Sequence, residues 1–317
     1  MTLAIFGGSG KVGEELLPAL IARGESLRAM RHSAPLPVEG IEVIDGSITD
    51  PGAVAATVGD AESVLQLTKG GGGVEQVAET SVRGTVNVLD AVRAGGGVKQ
   101  YLLTSSDAAV GIGAHPYPEP ITHATPPVSY GDAYSLGKVL EETIVRDYDR
   151  NFSLPYTIAR LSWVQQEDSI LGHLAAGLDP RRPGRGPYEA RYSDAQKRRL
   201  AAGEAFVVLP VDPAGRPIAR TMVQRQDVTA ALLAMIGSDA AIGETFHVSG
   251  PGFAFDAPAE YLAGKLDLPI ERVTVPDEHS FTIDTSHTTD RLGWRARYGI
   301  REMIDAALAW RDAHAGA

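Results

Sequence analysis

Leu3-Ala4-Ile5-Phe6-Gly7-Gly8-Ser9-Gly10-Lys11-Val12-Gly13 is the stretch against which the rest of the chain is read. Leu3 to Phe6 is a short apolar run of the kind a buried parallel strand requires. Gly7, Gly10 and Gly13 follow at regular spacing, and then Val12, Leu16, Leu17, Leu20 and Ile21 recur at helical spacing. Strand, glycine turn and helix form the setting in which a dinucleotide is held. Gly7 lets the chain turn, Gly10 lets a pyrophosphate approach the backbone, and Gly13 lets the helix lie close on the sheet. The phosphates would meet free N–H groups at the positive end of the helix, beside Lys11 and Val12. The spacing is G-x-x-G-x-x-G, not the usual G-x-G-x-x-G, so a glycine-rich turn without a ligand is the competing reading.

Composition narrows the field. The chain has 317 residues, 44% of them hydrophobic, enough for one large α/β unit with a lobe added. A formal net charge of −11 disfavours nucleic acid and anionic membrane as partners. There is no cysteine, hence no disulfide, thiolate metal site or thiol nucleophile. No apolar run approaches the ~20 residues of a membrane span. The N-terminus runs directly into a strand with no signal-peptide pattern, so a soluble cytoplasmic protein is expected. The histidines are scattered, and no metal site is indicated. Gly7 to Gly13 lacks the Gly-Lys-Ser/Thr of a P-loop.

Further strands are expected at Ser26 to Met30, Ile41 to Ile44, Ser63 to Leu67, Val98 to Leu103 and Pro155 to Ala159. Helices alternate with them, including a long amphipathic one from Val74 to Ala94. This alternation predicts a doubly wound parallel sheet, a Rossmann fold, with ligands beyond the carboxyl ends of the strands. Arg31 and His32, with Arg28 nearby, stand where an NAD-type fold often places an acid. A cation there suits the 2′-phosphate of NADP, so NADP is expected in preference to NAD. Gly46 and Ser47 would edge the adenine pocket. Leu67, Thr68 and Lys69, leading into Gly70 to Gly73, would pass the pyrophosphate and nicotinamide ribose; a plain flexible linker is the alternative. Thr104 and Leu161 complete the expected dinucleotide contacts. Asp50 or Thr49 is expected to cap a helix, with Pro51 at its first position. The Pro-, Gly- and His-rich segment from Gly111 to Ser129 reads as a loop over the active edge.

Tyr134 and Lys138 lie four apart on a predicted helix from Asp132 to Tyr148 and so share a face. A free phenol has a pKa of about 10, and an ammonium close by favours the phenolate. Such a tyrosine can exchange a proton with a substrate hydroxyl or carbonyl while hydride passes to or from a nicotinamide. Ser106, at a strand end, can hydrogen-bond the same oxygen. A Tyr-x-x-x-Lys pair alone is common on helices. The order of glycine triplet, strand ending in Ser-Ser, then Tyr-x-x-x-Lys on the next long helix is what gives it weight.

That ordered set resembles the short-chain dehydrogenase/reductase superfamily, and more narrowly its extended type, the NAD-dependent epimerase/dehydratase family. Further similarities are Arg83-Gly84-Thr85-Val86-Asn87-Val88-Leu89-Asp90-Ala91, Lys138-Val139-Leu140-Glu141-Glu142, and Asp284-Thr285-Ser286 leading to Leu292-Gly293-Trp294. The resemblance implies a dinucleotide-binding domain over residues 1–160, completed by about 221–248, with 161–317 mainly a substrate-binding lobe. It implies Tyr134 as acid/base, Lys138 as its electrostatic partner and ribose anchor, and Ser106 as donor to the carbonyl oxygen. Asp107, Trp163 and Arg220 are assigned to the substrate side.

Within the lobe, Arg181, Arg182, Arg185, Arg191, Lys197, Arg198 and Arg199 gather with Tyr188 and Tyr192. They read as a lid presenting cations to an anionic substrate, or as a solvated insertion. Arg220 stands seven residues before Asp227 and resembles a diphosphate-binding arginine of nucleotide-sugar enzymes; a surface arginine is the alternative. Asp227 is expected to cap a helix from Val228 to Ile236. Departures from the family pattern weigh against a nucleotide sugar. Arg160-Leu161-Ser162-Trp163 replaces Arg-Pro-x-Asn, Val110 stands for a tyrosine and Ser81 for an asparagine. No second arginine precedes Asp284, where Arg272 is nearest.

Three functions follow. The first is an oxidoreductase acting with NADP or NAD on a hydroxyl or ketone of a polar, anionic or sugar-like small molecule. The second is a nucleotide-sugar epimerase or dehydratase with tightly held cofactor. The third is a non-catalytic dinucleotide sensor of the NmrA-like kind. The partners expected are the small-molecule substrate and, as an option, a second copy of the chain in a homodimer.

Overall fold

In the computed structural model, residues 1–70, 72–178 and 185–314 are described. Seven parallel strands form the central sheet: β1 Thr2–Phe6, β2 Ser26–Arg31, β3 Glu42–Asp45, β4 Ser63–Gln66, β5 Gln100–Ser106, β6 Tyr156–Leu161, and a late strand, Glu244–Val248. Their order is Glu244–Val248, β6, β5, β4, β1, β2, β3. The chain leaves β1 to one side and returns to the other, the doubly wound topology expected. Pleating sends alternate side chains of β1 to opposite faces. Leu3 and Ile5 pack with Leu16, Leu20, Val228 and Leu232 on one face. Ala4 and Phe6 pack with Val54, Val88 and Leu103 on the other. Ile21, by contrast, is 39% exposed and lies outside the stripe expected to carry it.

Asp50 caps the helix Pro51–Val58 through Gly52 and Ala53, with Pro51 at its first position. The long helix expected after β4 is not uniform: residues 77–84 wind as a π-helix between α-helical ends. Its wider turn buries Val77, Ser81 and Gly84 together. A Cβ at Gly84 would come within 2.8 Å of Ile48, and one at Gly137 within 2.8 Å of the Ser81 hydroxyl, so glycine sets both helix contacts.

Two expected strand ends move. β5 runs on to Ser106 and β6 to Leu161, so Thr104, Ser105 and Arg160 are strand residues. Arg160 is fully buried, and its guanidinium is bidentate to Glu142 at 2.9 and 2.8 Å. It also donates to the Thr125 carbonyl at 2.9 Å, which pins the 111–129 loop.

The C-terminal half has its own apolar cluster, built on the fully buried strand Phe206–Val211 with Ile170, Leu174, Leu262 and Ile304. Among the described residues no helix is long and apolar enough to cross a membrane. Asp227 does not cap a helix as expected. It lies within the first turn of the helix Arg225–Met235, whose N-cap is Gln224. Its carboxylate accepts the backbone N–H groups of Arg297 and Tyr298 at 3.0 Å, and its carbonyl accepts the Trp294 indole at 3.1 Å. It therefore fastens the C-terminal segment to the sheet. Asp227→Ala leaves those N–H groups without their acceptor and should lower unfolding stability by about 2–4 kcal/mol in urea titration. An unchanged midpoint would show that the segment is held by packing alone.

Candidate active site

The carboxyl ends of the parallel strands collect most of the residues singled out in the sequence. Gly7 has φ 83°, and a Cβ there would lie 2.8 Å from the Leu67 carbonyl carbon and the Thr68 nitrogen. Only glycine serves both the left-handed backbone and this approach to the end of β4. The Gly10 N–H donates to the Gly7 carbonyl at 3.2 Å, and the neighbouring Val12 opens the helix Gly13–Ala22 without a side-chain cap. A Cβ on Gly13 would fall 2.0 Å from the Gly8 carbonyl oxygen. The close approach at Gly13 is therefore to the turn itself, not to the sheet as expected. Nearby, Thr68 Oγ1 is buried without a hydrogen-bond partner. A glycine-lined turn, a helix N-terminus and an orphaned hydroxyl fit the pyrophosphate of a dinucleotide. Lys11 reaches across the turn to the Val164 carbonyl at 3.4 Å.

At the end of β2, Arg31 and His32 are exposed. Arg31 is bidentate to Asp45 at 2.6 and 2.8 Å. Arg28 does not belong to this edge: it pairs with Glu42 and Asp60 at the amino end of the sheet. Gly46 donates to the Arg31 carbonyl at 3.0 Å, and Ser47 bonds Thr49 at 2.8 Å. Gly71 lies outside the described residues, but Gly70 is buried against Ser81. That end of the glycine loop is wall, not free linker.

Tyr134 is half-buried in the first turn of the helix Ala133–Phe152, which Asp132 caps through the Ser135 N–H at 2.6 Å. The Lys69 ammonium sits 5.3 Å from the centre of its ring. One turn on, Lys138 is buried. Its ammonium donates to the carbonyls of Thr68 at 3.1 Å and Thr104 at 2.9 Å, and to Glu141 at 2.7 Å. Burial works against the ammonium, but Glu141 and Tyr134 outweigh it and raise its pKa, so it stays charged. Lys138 thus ties the ends of β4 and β5 to the tyrosine's helix.

Ser106 ends β5, paired in register with Leu161. Its hydroxyl donates to Asp107 at 3.1 Å and accepts the Ala108 N–H. Asp107 also accepts Ser162 at 2.9 Å, and Ser162 shares a hydrogen bond of 2.7 Å with Thr221. Burial raises the Asp107 pKa to about 6, against the pull of these hydroxyls and of the Arg220 charge. Trp163, partly exposed, packs its ring on His173.

Arg220 is buried, not at the surface. It is paired with Glu278 and donates to the carbonyls of Ala219 and His279. Of the other described basic residues, Arg185, Lys197 and Arg198 are exposed, and two more are held by carboxylates. Arg191 pairs with Asp277, and Arg199 with Glu204 and Glu271. Arg181 and Arg182 lie outside the described residues. Sequence reasoning missed Thr221, Glu278 and Tyr130, and it noted Ser81, Glu141 and Ser162 without giving them a role. Tyr130 is half-buried, with its pKa raised by burial to about 12 and its environment shared with Asp107 and Tyr134.

No curated protein matches this sequence. Solved structures do match the fold. A short-chain dehydrogenase/reductase superfamily protein from Agrobacterium tumefaciens with bound NAD is 23% identical, with a TM-score of 0.83 over 99% of this chain and 98% of that one. The Bordetella bronchiseptica enzyme WbmG in complex with NAD and UDP is 23% identical, with a TM-score of 0.72 over 99% and 94%. UDP-glucose 4-epimerase from Thermotoga maritima with UDP-glucose is 20% identical, with a TM-score of 0.72 over 99% of both chains. Residues 3–165, just over half of the 317, match the family described as NAD dependent epimerase/dehydratase, and the chain belongs to that family as one of its enzymes.

Proposed function

We propose that this enzyme is an oxidoreductase that moves a hydride at a hydroxyl or ketone carbon of a polar, sugar-like small molecule, with Tyr134 as acid/base. The observation that carries the reading is the buried Lys138 ammonium, one helical turn from Tyr134 and tied to the strand ends beside Ser106. When bound, a nicotinamide dinucleotide supplies the hydride acceptor or donor. Gly7, Gly10 and Gly13 leave room for its pyrophosphate, and the Thr68 hydroxyl faces the same edge. In the oxidative direction Tyr134 takes the proton of the substrate hydroxyl as the carbon gives up hydride. In reduction it returns that proton to the carbonyl oxygen. Lys138 holds the helix of Tyr134 against the strand ends, and Ser106 holds the oxygen by turning its hydroxyl from Asp107. A non-catalytic sensor has no use for this set.

Two of the similar structures carry names of nucleotide-sugar chemistry or a bound UDP. They support a second reading, an epimerase or dehydratase that retains its cofactor through the cycle. Mass spectrometry of the purified protein separates the two: freely exchanged cofactor favours the oxidoreductase, and stoichiometric retained cofactor the alternative.

Tyr134→Phe removes one hydroxyl and leaves the ring for Lys69 to cover. Turnover, followed by nicotinamide absorbance across a panel of sugars and polyols, should fall by about 100- to 10,000-fold, with dinucleotide affinity little changed. Lys138→Ala should damage both. Normal turnover in the phenylalanine variant removes Tyr134 from the chemistry.

For the cofactor, NADP is the reading that Arg31 supports. Its pair with Asp45 is exposed on both sides, and such pairs contribute little. A 2′-phosphate can therefore take Asp45's place. Arg31→Asp should weaken NADP by about 10- to 100-fold while NAD is nearly unaffected, read by fluorescence titration. NAD binding the unaltered protein as tightly as NADP would sink this idea.

A further inference from the structure

Arg220 reaches the catalytic edge from the lobe. Its charge acts on Asp107, and a Cβ on Gly113 would lie 3.3 Å from its guanidinium. An arginine so placed invites a diphosphate, yet its guanidinium is already committed. One terminal nitrogen donates to the carbonyls of Ala219 at 3.0 Å and His279 at 2.6 Å, and the other is paired with Glu278. The loop that brings Glu278 there is fastened on both sides. The His279 N–H donates to the Gly113 carbonyl at 2.7 Å, Ser280 Oγ accepts the Ala219 N–H at 2.9 Å, and Asp277 pairs with Arg191. The Tyr188 hydroxyl donates to Glu278 itself at 3.3 Å.

We propose that Glu278 is a specificity determinant of this site: held on Arg220, it neutralises that cation and selects a substrate presenting uncharged hydroxyls there, not a diphosphate. The proposal rests on the hydride-transfer reading for where the substrate lies, and deepens it. A ligand anion would have to displace a carboxylate that is tethered and charge-assisted, on a guanidinium that is itself nearly buried. Both the tether and the low dielectric favour the internal partner. What the substrate side offers instead is a chain of hydroxyl-matching groups, Ser106, Asp107, Ser162 and Thr221, linked at 3.1, 2.9 and 2.7 Å. Ser106 and Asp107 can exchange an internal bond for one to a polyol or sugar hydroxyl, with the buried Ser162 and Thr221 supporting Asp107. The ligand class is thus a neutral polyhydroxylated compound, or one whose charge lies away from Arg220.

The test is calorimetric titration with UDP of the protein saturated with its dinucleotide, so that the cofactor site cannot take up the probe. The unaltered protein should show no submillimolar binding. Glu278→Gln should gain affinity by at least about 10-fold, the worth of one charge-assisted hydrogen bond set free. Arg220→Gln added to Glu278→Gln should abolish the gain. Glu278→Ala serves as a second variant, and circular dichroism checks that each is folded. Submillimolar UDP binding by the unaltered protein overturns the proposal, and that arm needs no variant. So does a gain absent from both folded variants, or one that survives loss of Arg220. No arm depends on turnover, so failure here is distinct from failure of the tyrosine assignment.

Discussion

The structure depends on a row of charges that one helix carries into the interior. Along Ala133–Phe152, Lys138 meets Glu141 at 2.7 Å and Glu142 meets Arg160 at 2.8 Å, all four side chains nearly or wholly buried. Buried pairs are weak sources of net stability, because desolvation offsets the attraction, but loss of one partner is severe. What they give is position. Lys138 holds two strand-end carbonyls, and Glu142 also accepts the Ser105 hydroxyl at 2.7 Å. The helix that carries Tyr134 is thereby registered against β4, β5 and β6 at the edge where the chemistry belongs. Packing alone allows a helix to slide and rotate on a sheet; four fixed charges do not.

A π-helical turn lies opposite this row of charges. The helix over 74–95 packs against that of Tyr134 and beside the glycine loop after β4. The wider turn over 77–84 brings Ser81 against Gly70 and Gly137, where any Cβ would collide with its hydroxyl. Glycine on two elements and serine on a third meet within one small volume. An asparagine at Ser81 would be too large for the space those glycines leave, a physical reason for that departure from the family pattern.

The legible parts of the sequence were those fixed by backbone constraint or by period. The glycine turn, the alternation of strands with helices and the helix start at Pro51 belong here, because φ, pleat and N-cap chemistry act over a few adjacent residues, whereas the late strand was legible only through the family resemblance. The charged side chains were less legible, since their partners are distant in sequence. Asp227 looked like a helix cap from its neighbours, but its acceptors are taken by residues seventy positions later. Arg160 looked like a residue past a strand end and is instead the largest fully buried side chain. Nothing near Arg220 in sequence announces Glu278. The only early sign was indirect: the basic segment before it sits in an acidic protein, where carboxylates to neutralise it were plentiful.

Arg31 and Arg220 show how burial, not residue type, decides what such a pair can do. Both were read as anion sites, and both are engaged by an internal carboxylate. The Arg31 and Asp45 side chains are 45% and 69% exposed, so water and salt already weaken their attraction, and the ends are free to part. A phosphate arriving there exchanges one solvated contact for another that carries more charge. The Arg220 side chain is 7% exposed and that of Glu278 34%, and Glu278 sits on a loop tied at Asp277, His279 and Ser280. Opening that pair would strand a guanidinium in low dielectric until the ligand had fully entered, and the unpaired intermediate is the costly step. The same pairing of arginine with carboxylate is therefore solvated and easily opened at the end of β2, and held closed at Arg220.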